Sequence, residues 1–312
     1  MYDVLHGGGL QDDRARRRWR PRLMPDPRRA AEMRRATVER AVAAALDVAR
    51  VHGVECDEPR VLHDLFSLRV HLAPAPVVAR VPTWIRTLRP TGPAELRREL
   101  DVVAHLHARG MPVVLPSRLL PVEVHEHDDH VITFWDLAVQ IDPAPTQADC
   151  RAMLDDLHTA LADFAAAPAM IPDLFDPDAW LEGATTDGLA TEDEATRLRV
   201  ALDAVRDFVD RVRTSNDVIH GDLHVGNLLR TSAGLLWNDL EDVCRGPRSW
   251  DLATLAAWEL DPATPPEIRV AGRLRAVQAA LSLIRLRPIF ADTDAWNGLI
   301  THWVDQATGT GS

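Results

Sequence analysis

The feature that most constrains this chain is a set of polar residues between Val218 and Asp251, placed among short apolar runs. Asp222 and Asn227 stand five residues apart, and Asp239 follows twelve residues after Asn227. Phosphoryl transfer from ATP requires a carboxylate that accepts the proton of the acceptor hydroxyl, and oxygen ligands that hold Mg²⁺ against the phosphates. Two carboxylates and an amide at this spacing can supply both.

The residues around these groups predict a strand end, a sharp break and a hairpin. Residues 217–219 form a short run that suits a buried strand, and Gly221 interrupts it. Two further apolar runs, 228–230 and 235–237, flank a Thr-Ser-Ala-Gly segment, which favours a tight turn. Such a hairpin would bring Asn227 and Asp239 to the same end, close enough to share one ion.

Three segments in this region resemble the aminoglycoside phosphotransferase and choline kinase-like family of small-molecule kinases. The segments are His220-Gly-Asp222-Leu-His224-x-x-Asn227, Asn-Asp239-Leu-Glu-Asp242 and Arg-Gly246-Pro247-Arg-Ser-Trp250-Asp251-Leu-Ala. The resemblance covers roughly residues 55–290 and implies a two-lobed, protein-kinase-like fold. It implies Asp222 as the catalytic base, Asn227 and Asp239 as Mg²⁺ ligands, and Asp251 as a buried support of the loop.

Other interpretations of the same residues stay open. Alternate residues of a strand project to one side, so His220, Asp222 and His224 could instead form the ligand cluster of a metallohydrolase. They could also be purely structural polar groups. Within the kinase interpretation, His220 and His224 are expected to support the loop through hydrogen bonds.

Residues 28–135 are expected to form an N-lobe that binds the nucleotide. A helical pattern from Pro27 to about Val51 comes first. Strands are predicted at residues 66–72 and 77–81, followed by a helix over 94–109 that Gly110 ends. A second hairpin is predicted from Arg118–Val124 and His130–Phe134. Strands, one helix and strands again give an α+β class, with an antiparallel sheet in the small lobe.

The family resemblance assigns four nucleotide-binding residues in this lobe. Arg80 stands where the family has a basic residue over the phosphates, and Glu99 stands where a helix acid pairs with it. Backbone groups near Trp135 and Leu137 would meet the adenine edge. The alternatives are an exposed strand charge for Arg80, a solvated helix face for Glu99 and a core aromatic for Trp135.

The N-lobe also departs from protein kinases. The chain contains no lysine, and the His63–Ser67 turn has no glycine where a phosphate-covering loop is expected. Arginine can replace lysine because it keeps its charge and binds phosphate in a bidentate way. A nucleotide-binding pseudokinase without activity is therefore the second candidate.

Residues 136–312 are expected to form a mainly helical C-lobe with the catalytic loop and the acceptor site. Helices are predicted from Thr146 to about Ala166, over 191–212, and at about 251–260, 265–287 and 294–306. Residues 167–188 are interpreted as an irregular loop with one helical turn around Trp180. Residues 1–27 are interpreted as a mobile basic tail.

Charge and cysteine usage limit the partners. The net charge is −12, although the first 35 residues carry ten arginines and five acids. An acidic body argues against nucleic acid and is compatible with a cationic hydroxyl acceptor, for which Glu241 and Asp242 are candidate ligands; both could equally be solvated. No run is apolar enough for a membrane helix, and three scattered cysteines without a secretion signal predict a cytoplasmic protein. Nothing in the sequence predicts the oligomeric state or the acceptor.

Overall fold

The computed structural model describes residues 26–256, 263–290 and 294–309. Of the basic tail predicted for residues 1–27, only Asp26 and Pro27 fall within these ranges. Asp26 caps the first helix, α1 (Pro27–Val51), by accepting a hydrogen bond from the Arg28 N–H. The remainder of the tail lies outside the described residues, so its predicted mobility stays a prediction.

A five-stranded antiparallel sheet forms the first part of the molecule, in the order β1-β2-β3-β5-β4. Its elements are β1 (Cys56–Asp64), β2 (Ser67–Pro74), β3 (Val77–Pro82), α2 (Pro93–Ala108), β4 (His125–His127) and β5 (His130–Asp136). The alternating apolar residues of β2 face the alanines of α1, and together they form one core. The predicted strands at 66–72 and 77–81 and the predicted helix are thereby confirmed.

One predicted strand, Arg118–Val124, is wrong. The partner of β5 is the short strand β4, and residues 118–124 are irregular. Pro121 explains the difference, because it has no N–H for a sheet and its carbonyl instead accepts hydrogen bonds from the Glu123 N–H and His125 Nε2.

The second part is mainly helical and contains two pairs of short strands. The elements are α3 (Gln147–Leu161), α4 (Pro177–Thr186), α5 (Glu192–Ala204), α6 (Arg206–Thr214), β6 (Val218–Ile219), β7 (Leu228–Thr231), β8 (Gly234–Trp237), β9 (Cys244–Arg245), α7 (Arg248–Leu255), α8 (Pro266–Phe290) and α9 (Asp294–Thr308). Strand β6 pairs with β9, and β7 pairs with β8 as the predicted hairpin. The α+β class and kinase-like division of elements agree with the prediction.

Two helical predictions need correction. The segment around Trp180 is a full helix, α4, because Asp176 caps it through the Asp178 and Ala179 N–H groups and Pro177 suits its first turn. The single helix predicted over 191–212 is two helices, which meet at Val205 with φ −117° and ψ 16°. Val205 is buried there, and the bend keeps apolar residues of both helices in one core.

The remaining helix boundaries differ by a few residues from the predictions. Helix α3 ends at Leu161, whereas the sequence predicts its end near Ala166. Helix α7 spans Arg248–Leu255, and its predicted end near residue 260 lies outside the described ranges. Among the described helices, none combines the length and the apolar character that a membrane span requires.

Candidate active site

The loop that carries Asp222 is held by one buried carboxylate, that of Asp251 in α7. Its Oδ2 accepts hydrogen bonds from the His220 N–H (2.8 Å) and from His158 Nε2 (2.8 Å), and its Oδ1 accepts one from the Gly221 N–H (2.9 Å). Asp251, His220 and His158 are all buried. Because a buried donor without a partner costs about 1–3 kcal/mol, these bonds fix the loop. Asp251 thus lies where the predicted supporting role requires it.

Gly221 makes the sharp break before Asp222. Its φ of 83° lies in the left-handed region, which favours glycine. A Cβ atom at this position would lie 2.1 Å from the backbone oxygen of Asp242, and the Gly221 carbonyl accepts a hydrogen bond from Trp250 Nε1 (2.7 Å). The close approach of backbone to backbone therefore requires glycine at this position.

Asp222, the predicted base, is partly exposed and bound to two basic side chains. Arg275 of α8 donates from Nη2 to its Oδ1, and His224 Nε2 lies 3.5 Å from its Oδ2. Burial raises the pKa of Asp222, but the nearby Arg275 and His224 outweigh burial and hold this pKa well below its usual range. Asp222 is therefore ionised, and Arg275 occupies one of its oxygens.

Asn227 is hydrogen-bonded both to Asp222 and to Asn238, the residue that precedes Asp239. Its Nδ2 donates to the backbone oxygen of Asp222 (2.9 Å), and its backbone oxygen accepts from the Asn238 N–H (2.9 Å). Asn227 is buried, and its Oδ1 accepts no hydrogen bond from the described residues. The amide nitrogen is thus engaged, and the amide oxygen is the atom that can bind a cation.

Asp239 follows directly after the β7–β8 hairpin and has a φ of 61°, which is uncommon outside glycine. Arg69 of β2 donates from Nη2 to its Oδ2, and Arg80 Nη2 lies 3.4 Å from its Oδ1. Burial raises the pKa of Asp239, but Arg69 and Arg80 outweigh burial and lower this pKa to about 2. Two guanidinium groups therefore neutralise the carboxylate.

Arg80 of β3 lies at the centre of a buried charge cluster. Its Nη1 donates to Glu99 of α2, and its Nη2 lies 2.5 Å from Glu241 Oε2. Burial raises the pKa of Glu99 to about 7, against the opposing charge of Arg80, and burial raises the pKa of Glu241 as well. Arg80 is shared among three carboxylates, so it stabilises each of them only in part. The structure brings Arg80 and Glu99 together in the predicted pair.

Glu241 and Asp242, the predicted acceptor residues, face arginines instead. Arg89 Nη2 forms an ion pair with Asp242 Oδ1 and lies 3.9 Å from Glu241 Oε2, and Glu241 also contacts Arg80. Both carboxylates are therefore part of the charge cluster, and this arrangement gives no support to a role in binding a cationic acceptor.

A cavity of about 330 Å³ opens between the sheet and the hairpin. Its lining combines polar residues of the charge cluster with apolar side chains: Leu62, His63, Arg69, Val78, Arg80, Glu99, Val103, Val114, Trp135, Asp136, Leu137, Ala138, Gln140, Gly226, Leu229, Trp237, Asn238, Asp239 and Leu240. Cavities of this size and composition bind small ligands. All four predicted nucleotide-binding residues, Arg80, Glu99, Trp135 and Leu137, line it together with the predicted metal ligand Asp239.

The backbone hydrogen bonds at one side of this cavity show which N–H groups near Leu137 are already engaged. The Leu137 N–H donates to the Pro76 carbonyl (2.9 Å), so it is not available to a nucleobase. The Ala138 N–H donates no hydrogen bond within the described residues, and Ala138 lines the cavity. Trp135 Nε1 donates to Thr133 Oγ1 (2.9 Å), and the ring is buried.

The metallohydrolase alternative lacks its ligand cluster. The His220 ring is buried against Trp237, with its Nδ1 accepting from the Asp222 N–H (3.3 Å). His224 Nδ1 accepts from the Gly226 N–H (3.0 Å). In the described part of the chain, no group of three or more His, Cys, Asp or Glu side chains has an arrangement that could hold a metal ion.

Three arginines of the site were missed from the sequence: Arg69, Arg89 and Arg275. A signal existed for Arg69, because the β2–β3 register pairs it with Arg80 across the Pro74–Pro76 turn. No sequence signal could have found Arg275, because its contact with Asp222 depends on how α8 packs beside the loop.

Comparisons with known proteins agree with this arrangement. Residues 73–283 match the phosphotransferase enzyme family. Among solved structures, choline kinase LicA from Streptococcus pneumoniae matches with a TM-score of 0.59 and 13% identity, over 86% of this chain and 99% of that one. The amicoumacin kinase hAmiN, in complex with AMP-PNP, Ca²⁺ and Ami, matches with a TM-score of 0.58 and 15% identity, over 90% and 96% of the two chains. APH(2")-IIia, in complex with GDP and kanamycin, matches with a TM-score of 0.58 and 15% identity, over 85% and 98%.

A comparison with curated proteins found no significant match. The structural matches have low identity and show a shared fold, which is that of small-molecule kinases. The family match covers about two thirds of the sequence and includes the Asp222 loop, the β7–β8 hairpin and α7. The chain therefore belongs to the phosphotransferase enzyme family, as the motifs around Asp222 predicted.

Proposed function

We propose that this protein is an ATP- and Mg²⁺-dependent kinase that transfers the γ-phosphoryl group to a hydroxyl group of a small molecule. One observation carries the proposal: Asp239 and Arg80 line one cavity, and Asn227 joins this cavity to the Asp222 loop through two hydrogen bonds. The residues proposed as base, metal ligands and phosphate-binding cation are neighbours, which supports the proposal because the reaction requires these groups close together.

The donor set fits Mg²⁺, which prefers oxygen ligands and commonly takes one or two from the protein. Asn227 Oδ1 and the Asp239 carboxylate would hold the ion. Asp239 Oδ1 is buried and accepts no hydrogen bond in the described structure, so it has the capacity for a cation. Bound Mg²⁺ would neutralise the charge on the phosphate oxygens.

The cavity supplies the remaining contacts to the nucleotide. The Ala138 N–H would bind the adenine edge, and the apolar wall beside Trp135 and Leu137 would pack against the ring. Arg80, which Glu99 orients, would bind phosphate oxygens. Another nucleoside triphosphate could serve as donor, so GTP belongs in the same assays.

In the transfer step, the acceptor hydroxyl oxygen bonds to the γ-phosphorus while the bond to the bridging oxygen breaks and ADP leaves. The hydroxyl proton passes to Asp222. Arg275 occupies Asp222 Oδ1 in this structure, so the acceptor must displace Arg275 or approach the other oxygen. Positioning and charge neutralisation would provide most of the rate acceleration.

The acceptor is a small hydroxyl compound, and amino or sugar alcohols are the first class to screen. Kanamycin and choline belong in the screen because similar structures are a kanamycin complex and a choline kinase. Hydroxy acids belong there too, because the cation nearest the base, Arg275, would attract a carboxylate. The three cysteines form no disulfide, which accords with the cytoplasmic location that we propose.

The test is thermal unfolding with ATP, with and without Mg²⁺, for the wild type and Asp239→Ala. A ligand at about 100 times its Kd stabilises a protein by about 2.7 kcal/mol, which corresponds to several degrees. We expect a Mg²⁺-dependent rise in the wild type and its loss in Asp239→Ala. The control is Asp57→Ala, an exposed acid of β1, which should behave as the wild type. A wild type that no nucleotide stabilises would refute the proposal.

A specific observation also favours the pseudokinase alternative. Both carboxylates to which the proposal gives a role, Asp222 and Asp239, are bound to arginines. A pseudokinase would show the Mg²⁺-dependent rise and yet release no ADP above background with any acceptor. An active kinase would release ADP with at least one acceptor, and Asp222→Asn would reduce this turnover by roughly 10²–10⁴-fold.

A further inference from the structure

Arg69 and Arg80 form a matched pair on neighbouring strands. The β2–β3 register places them directly opposite each other, so their side chains lie on the same face of the sheet. Both line the cavity, and both contact the carboxylate of Asp239, one on each oxygen. Two cations therefore face the position where the nucleotide phosphates are proposed to bind.

The two arginines differ in how firmly they are held. The Arg80 side chain is 5% exposed and is bound to Glu99 and Glu241 in addition to Asp239. The Arg69 side chain is 26% exposed, and its ion pair within the described residues is with Asp239. A cation on Asp239 would replace the positive charge that both arginines provide there. Arg80 would keep its ion pairs with Glu99 and Glu241, whereas Arg69, whose ion pair is with Asp239, would be the arginine able to turn toward the cavity.

The β1–β2 turn cannot provide the backbone cradle that covers phosphates in protein kinases. The Phe66 carbonyl accepts hydrogen bonds from the N–H groups of Thr83 (3.3 Å) and Ile85 (2.9 Å). The Asp64 carboxylate beside it accepts from Trp84 Nε1 (3.2 Å) and Arg34 Nη2 (3.1 Å). Without glycine and with these bonds, the turn is fixed to the segment after β3.

Leu65 and Phe66 at the tip of this turn also pack against the core of the helical part. Folding the turn over a bound phosphate would break both this apolar contact and the hydrogen bonds. Contacts to the outer phosphates must therefore come from side chains that already face the cavity.

We propose that Arg69 is a phosphate-binding residue of the nucleotide site, which replaces the missing glycine loop and holds Asp239 until Mg²⁺ arrives with the nucleotide. This inference rests on the proposed function. On binding, Asp239 exchanges Arg69 for Mg²⁺, and Arg69 donates to the β- or γ-phosphate oxygens. The phosphates would thus replace Asp239 as the negatively charged partner of Arg69.

The test compares dissociation constants for ATP, ADP, AMP and adenosine, with Mg²⁺, for the wild type, Arg69→Gln and Arg69→Lys. A charged hydrogen bond contributes enough that Arg69→Gln should weaken ATP binding by at least about tenfold. Adenosine binding should change by less than about twofold, and Arg69→Lys should recover part of the loss. The control is Arg60→Gln, an exposed arginine of β1 bound to Glu58, which should leave all four constants unchanged.

Each outcome decides between the proposals. If the wild type binds no nucleotide, the proposed function and this inference both fail. If the wild type binds ATP and Arg69→Gln binds it equally well, this inference alone fails. If Arg69→Gln weakens adenosine and ATP by the same factor, Arg69 acts through the shape of the site, and its role as a phosphate ligand is wrong. A cooperative thermal unfolding transition, measured without ligand, establishes that the variant is folded.

Discussion

Replacing Asp251 with asparagine tests whether one buried carboxylate holds the catalytic loop. In the wild type, Oδ1 accepts from the Gly221 N–H, and Oδ2 accepts from the His220 N–H and His158 Nε2. Asparagine has only one accepting atom, and its amide nitrogen is a donor. The less costly orientation places the nitrogen opposite the Gly221 N–H, so that two donors face each other.

The expected loss follows from these three bonds. One buried N–H without a partner costs about 1–3 kcal/mol, and two charge-assisted bonds become neutral ones that are each weaker by about 1 kcal/mol. Removing a buried charge offsets part of this cost. We therefore expect Asp251→Asn to lower the free energy of unfolding by about 3 kcal/mol, which corresponds to a fall of about 6 °C in Tm for a chain of this length.

Thermal unfolding followed by circular dichroism measures this loss, and amide hydrogen exchange at His220 and Gly221 localises it. The matched control is Asp155→Asn, an exposed acid on α3 one turn before His158, which should stay within about 0.5 kcal/mol of the wild type. An Asp251→Asn protein that melts within 1 °C (roughly the error of such a scan) of the wild type would contradict the role assigned to the three bonds. Protection of the two loop amides should fall with Tm.

Two further substitutions test other features of the site. Gly221→Ala should lower the free energy of unfolding by more than about 2 kcal/mol, because a positive φ costs about 1–2 kcal/mol and the Cβ would also collide with the Asp242 carbonyl. The control is Gly188→Ala in the same unfolding assay. Gly188 has a φ of 64° and open space around its Cβ position, so this variant measures the cost of the positive φ alone. Glu99 has a pKa of about 7 in the folded state against an ordinary 4.5, so the folded state binds its proton more tightly, and the contribution of Glu99 to stability should fall as pH rises between about 4.5 and 7. Urea unfolding measures the free energy of unfolding at each pH. The wild type should lose stability relative to Glu99→Gln as the pH rises through that window. A difference in free energy between the two proteins that does not change with pH would show that Glu99 stays ionised.

The parts of this molecule that sequence reasoning predicted well are those in which local chemistry dictates the structure. Strand β2 alternates apolar and polar residues, β3 is a short apolar run, and Gly110, whose φ is 76°, follows the end of α2 at Ala108. The Thr-Ser-Ala-Gly turn fixes the β7–β8 hairpin, so Asn227 and Asp239 could be expected at its base. Their roles as ligands stay predictions.

The parts that were missed depend on long-range packing. Arg275 reaches Asp222 from a helix 53 residues further along the chain, and Arg89 reaches Asp242 from the segment before α2. The acidic pair Glu241 and Asp242 seemed free to bind an acceptor when only the sequence was considered. Whether a carboxylate faces solvent or an arginine is decided by tertiary contacts that no local pattern contains.

The contacts of Arg80 explain why arginine, and not lysine, stands at position 80. One residue must contact Glu99 through one nitrogen and both Glu241 and Asp239 through another, and these contacts point in different directions. A planar guanidinium provides separate donors for them, whereas a single ammonium is a compact point charge. A lysine at position 80 has a single nitrogen for three carboxylates, so it would neutralise this buried cluster less completely than arginine does, although Arg69 still contacts Asp239 and Arg89 lies near Glu241. Arginine at this position is therefore a requirement of the charge cluster, and the absence of lysine is not by itself a sign of lost activity.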